Sequence, residues 1–234
     1  MKKAILSGIA AAGSALWLGM RHRQPRPRPA KSAELAHIER AAHRSMMSVI
    51  VPTWIAAGLL DYIWHRRTRI QTTSGPRESL LHLFMLAEGA PVVLAPLVLE
   101  VNAGILALMI AAYLAHQATA MWDINTTVRE RLIPANEQHI HAYLEGVPFA
   151  IVALYSTIHW QQFLALLGLG SEKPRFEVRL KQPVLPLREV VLLSAAVGGL
   201  DVLPHVEEYW RCLKAQQRGE AGTETPACAP VLFA

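Results

Sequence analysis

Five stretches of this chain are each apolar enough, and nearly all long enough, to cross a hydrocarbon core as a helix. That excludes most soluble architectures at once. A bilayer interior takes roughly 20 consecutive, mostly apolar helical residues. Residues 46–64, 79–99, 101–116, 144–169 and 187–203 meet or approach this requirement. Residues 4–20 form a sixth candidate, preceded by Lys2 and Lys3 and followed by Arg21, Arg23, Arg26, Arg28 and Lys31. No small-x-small cleavage site stands before those arginines, so the segment reads as an uncleaved first span, with a cleavable leader as the alternative.

The expected fold is therefore all-α: a polytopic transmembrane helical bundle with five or six spans. Residues 1–45 supply the leader or first span, a basic Pro-rich linker and a short polar surface helix over 34–44. Residues 46–215 form the bundle, within which 170–186 is a polar, Pro-bounded loop with a strand-like stretch at 176–180. Residues 216–234 are rich in Gly, Thr and Pro and read as a disordered tail.

Composition agrees. Hydrophobic residues make up 52% of the chain and charged ones 18%, too apolar a balance for an ordinary soluble domain. The net charge of +5 is concentrated between the apolar stretches, where it suits lipid headgroups, and no nucleic-acid-binding motif accompanies it. Two cysteines without CxxC spacing imply neither a disulfide framework nor a thiolate zinc site. There is no GxSxG elbow, Walker loop, HExxH helix or CxxCH haem attachment.

The ten histidines carry the chemical signal through their positions. Residues four apart on a helix share a face, so two donors at that spacing converge. Asp61 and His65, Glu78 and His82, and Glu137 and His141 all repeat acid-x-x-x-His, and Glu145 follows His141 by four. His116 and Asp123 are seven apart, His205 and Glu208 three apart, and His139 is a further donor. Any one pair could be a local ion pair at a helix end. Tracing the spans back and forth, however, brings all five segments to the same membrane face.

Ionisable groups at that depth cost about 2.5–3.5 kcal/mol each on insertion scales, so a chain that gathers them has a use for them. Imidazole suits iron, zinc and copper, while carboxylates bridge cations and neutralise their charge. The expected metal ligands are His65, Glu78, His82, His116, Asp123, Glu137, His139, His141, Glu145, His205 and Glu208. Asp61 and Asp201 are expected to orient imidazoles. This set exceeds one ion's needs and fits two ions sharing a carboxylate, or one ion with a full shell of residues orienting its ligands. His159 falls about 21 Å beyond Glu145 along a helix and is excluded from the site.

In layout, with His and acid gathered at one face of several spans, the chain resembles the membrane-bound non-haem di-iron desaturases and hydroxylases. It lacks their HxxxH and HxxHH boxes; the nearest local match is Glu137-Gln138-His139-Ile140-His141. The resemblance implies a di-iron, oxygen-dependent oxidoreductase of the cell membrane, acting on a lipid or other apolar substrate with an electron donor protein as partner. Membrane zinc hydrolases of the ceramidase type are similar in using His and Asp near one face, with Ser79 beside Glu78 as a candidate assisting group. A haem or metal carrier, with His82 and His116 as axial ligands, is the non-enzymatic alternative. If residues 4–20 span, the cluster is cytoplasmic; if not, the positive-inside rule puts it outside.

Overall fold

In the computed structural model, which describes residues 32–224, the described chain is six helices, the last two joined by a longer stretch over 167–186, with no strand among them. Helix α1 is Ala33–Arg67, α2 Pro76–Val98, α3 Ala103–Thr127 and α4 Ala135–Ile158. Helix α5, Trp160–Leu166, turns away from α4 by 99° at His159, and α6 is Leu187–Gln217. Four of these helices are long and apolar enough to cross a membrane, and α4 with α5 makes a fifth if the bent pair is one span. The segment at 4–20 lies outside the described residues.

Several boundaries differ from expectation. The polar helix at 34–44 is the first part of α1, because no Gly or Pro interrupts the chain before Met46. Helix α3 continues eleven residues past His116 to Thr127, and α4 begins at Ala135, well before the apolar run. Polar helix ends, invisible to a hydropathy window, account for both. The described part of the tail also packs. Helix α6 reaches Gln217, the Glu224 N–H then donates to the Thr72 carbonyl at 3.2 Å, and Arg69 pairs with Glu224 at 3.0 Å.

Prolines shape two of the long helices. In α1 the Val51 N–H reaches back five residues to the Met46 carbonyl, immediately before Pro52. In α6 the Leu203 N–H reaches Gly198 in the same way, immediately before Pro204. A proline cannot donate, and its ring crowds the carbonyl four residues back, so the helix widens by one residue there. The α6 wide turn, Val197–Val202, carries Asp201.

Helix α2 lies against α3, α4 and α6, and α1 against α4 and the wide turn of α6. The apolar core fills the mid-height of the bundle with Trp54, Val92, Val93, Leu106, Met109, Ile151 and Tyr155. Leu108, Leu114, Met121, Phe149, Val191 and Leu192 remain exposed on the outside, a contiguous apolar surface of the kind lipid covers. The α2–α3 turn is clamped by Asn102, whose side-chain oxygen accepts from Gly104 and Ile105 and whose amide donates to the Glu177 carbonyl. The expected strand-like stretch is extended chain that makes one antiparallel bridge, Leu99 to Leu180.

Candidate metal centre

The end of the bundle where α1 finishes and α2 and α4 begin is lined with buried acids and imidazoles. Asp61 and His65 come from the last two turns of α1, Glu78 and His82 from the first two turns of α2, and Glu137 and His141 from the start of α4. Asp123 comes from the end of α3, and His205 and Glu208 from α6. The i, i+4 spacing points each helical pair inward.

Glu208 sits at the centre. One of its carboxylate oxygens lies 3.1 Å from His65 Nδ1, and the other 3.5 Å from His82 Nδ1. The two rings stack with centroids 4.5 Å apart, so a single carboxylate addresses both. On its far side His65 Nε2 faces Glu137 at 3.2 Å and Asp61 at 3.4 Å. His82 Nε2 faces Asp123 at 3.4 Å and Glu78 at 4.0 Å. Asp61 also lies 2.9 Å from His141 Nε2 and 3.8 Å from His205 Nε2.

Three groups have ligand atoms close enough together to surround one ion: Asp61, His65, Glu137 and His141; His65, His82 and Glu208; and Glu78, His82 and Asp123. His65 and His82 are each shared between two groups, so the groups form a chain and not separate sites. Metal–donor bonds of about 2.0–2.2 Å require this spacing between ligands.

The charge balance points the same way. Asp61, Glu78, Asp123, Glu137, Asp201 and Glu208 are all at most 4% exposed, and the one buried arginine among them is Arg131. Ionised, the five carboxylates of the three groups against one guanidinium leave four negative charges to be met by imidazolium or metal cations. Uncompensated buried charge is costly, so cations belong to this arrangement. Several donor atoms, among them His65 Nε2, both His82 nitrogens and Glu208 Oε1, make no hydrogen bond of good geometry among the described residues.

Arg131 was not legible from the spacing of acids and histidines. It stands in the short α3–α4 connection and folds back over the cluster. Its Nε donates to both Glu78 oxygens at 3.2 and 3.0 Å, its Nη1 donates to Glu137 at 3.0 Å, and its Nη2 contacts both acids. Burial opposes the charge on Arg131, but Glu78 and Glu137 override it and raise its pKa above the ordinary arginine value. Ser74 donates to Glu78, and Thr127 to Asp123 at 3.3 Å, adding orientation to these acids.

Not every expected ligand joins the cluster. His139 is exposed and packs edge-on against Tyr143, because two residues on a helix turn 200° away from Glu137 and His141. It belongs to none of the three groups. Glu145 is half-buried at the rim of a neighbouring pocket and belongs to none of the three groups. His116, Asp201 and His205 are buried and line that pocket, again outside the groups. Asp61, expected only to orient imidazoles, is instead a member of the first group and the most connected acid on α1. His159 lies 3.5 Å from Glu39, which is about 39 Å along α1 from His65.

Comparison with protein-family models, curated proteins and solved structures finds no match to this chain. The reading of the site therefore rests on its own geometry.

Proposed function

We propose that this chain is a multi-pass protein of the cell membrane whose buried cluster holds two iron ions and uses dioxygen to oxidise a lipid or another apolar substrate. The observation that carries the reading is Glu208 spanning the stacked His65 and His82, with further acids behind each imidazole. One carboxylate addressing two metal-binding imidazoles is how a helical bundle holds a pair of ions. A donor set of carboxylates and a few imidazoles, without thiolate, suits iron. Iron would supply the redox chemistry, and the protein's share is to hold it in a dry, acid-compensated site.

Oxidising a C–H bond to an alcohol takes dioxygen, two electrons and two protons and releases water, so an electron donor protein is a required partner. A pocket adjoins the cluster and offers apolar walls from four helices, which suits a hydrocarbon substrate. Two observations weigh against the competing classes. Ser79, the group that would assist a zinc hydrolase, is fully buried and outside that pocket. His82, one of the two axial ligands that a haem would need, has a carboxylate at each ring nitrogen, Asp123 at 3.4 Å and Glu208 at 3.5 Å.

Metal analysis with oxygen-uptake measurement tests the proposal. Purified protein should carry about two iron ions per chain and consume dioxygen when chemically reduced. Stoichiometric zinc with no response to dioxygen would overturn it.

A further inference from the structure

The pocket beside the metal cluster contains polar groups that the cluster does not use. Its apolar wall is Trp54, Met85, Leu86, Ala120, Ile124 and Leu144. Into this wall are set His116, 4% exposed, and Asp201, 1% exposed. Neither belongs to a ligand group, and His116 Nε2 and both Asp201 carboxylate oxygens have no hydrogen-bond partner among the described residues. Leaving such groups unpaired is costly, more so where charged, and a ligand would recover that cost.

The hydrogen-bonding sense of His116 can be read from its partner, and that of Asp201 follows when its carboxyl is ionised. His116 Nδ1 lies 3.1 Å from the Met85 carbonyl, which can only accept, so Nδ1 carries the proton and Nε2 presents a lone pair. An ionised Asp201 also only accepts. The fold makes room for that carboxylate at a specific position. A Cβ on Gly58 would lie 2.5 Å from Asp201 Oδ1, so the glycine leaves space that any side chain would fill. The pocket's floor is built similarly, with Trp54 seated over Gly89 at 3.2 Å from where a Cβ would stand.

We propose that this pocket recognises the hydrogen-bond-donating head, an amine or a hydroxyl, of an otherwise apolar molecule, with Asp201 and His116 as the two acceptors. The space is that of about four to six waters, enough for the head and a few carbons. Ile124 alone among the lining residues is exposed, and the rest of the ligand leaves past it. The proposal rests on the metal-centre reading only in making this ligand the substrate. Asp61, His82, Asp123 and His141 of the cluster line the same pocket, so the head lies beside the metal-binding donors while Asp201 and His116 hold it.

Ligand-observed saturation-transfer NMR on the full chain in lipid nanodiscs, both metal-free and metal-loaded, separates the possibilities. The probes are hexylamine, 1-hexanol, hexanoate and hexane. Hexylamine and hexanol should bind in both forms, with hexanoate and hexane at least about tenfold weaker. Asp201→Asn should weaken hexylamine about tenfold or more while metal content stays at the wild-type level. His116→Leu should weaken hexanol, and serves as the deciding variant if Asp201→Asn does not fold. Binding of hexanoate or hexane as tight as hexylamine overturns the proposal, as does hexylamine binding confined to the metal-loaded form. Loss of metal in Asp201→Asn overturns it too, since Asp201 would then be a ligand. A chain that binds hexylamine but holds no metal leaves this inference standing and removes the di-iron reading.

Discussion

Arg131 shows how much one side chain holds together at this site. Its guanidinium is shared between Glu78 of α2 and Glu137 of α4, so it couples two helices and two of the three ligand groups. Truncation to alanine leaves two buried carboxylates facing each other. Arg131→Ala should therefore cost about 3–5 kcal/mol, measured as a lowered thermal midpoint of the solubilised protein. Arg131→Lys should recover little of this, because an ammonium cannot bond both acids at once with parallel donors. Gly58→Ala is a second test at this scale. The new methyl would collide with Asp201, so a loss of about 1–3 kcal/mol is expected. Gly89→Ala meets only the Trp54 ring edge at 3.2 Å and should cost less. The acid-x-x-x-His spacing made Glu78, His82, Glu137 and His141 legible, because helical periodicity alone fixes which residues share a face. It missed Arg131, whose position depends on how a connecting loop folds back. His139, taken as a further donor without that spacing, lies two residues from Glu137 and His141 and turns away from them.

At the scale of the element, the wide turns before Pro52 and Pro204 are the feature to test. The second sets the rotation between Asp201, which faces the pocket, and Glu208, which faces the cluster. Pro204→Ala restores an N–H and allows α6 to close into regular helix, turning its two ends by about 100° relative to each other. Helix content and thermal midpoint should be retained or rise, since an interior proline costs helix about 3 kcal/mol. Metal content should fall, because the rotated C-terminal part of α6 carries Glu208 away from His65 and His82. Retained metal in this variant would mean that the wide turn has no part in positioning the site. The apolar spans themselves were legible in the hydropathy. Their polar extensions were not, because a window that scores apolarity stops where a helix enters its functional end. That is why α3 runs to Thr127 and α4 starts at Ala135.

For the whole molecule, the bundle brings buried acids from five helical segments to one end and leaves a surplus of negative charge there. The apolar exterior and the polar interior end belong to one design, in which water is kept from a site that needs cations. The central claim is that those cations are metal ions held by imidazole and carboxylate together. The most direct measurement is metal content of the purified chain beside that of a His82→Ala, His141→Ala double variant. Elemental analysis, with circular dichroism confirming that both proteins are equally helical, should find about two ions per wild-type chain and close to none in the variant. Equal metal in both proteins, or none in either, would contradict the account.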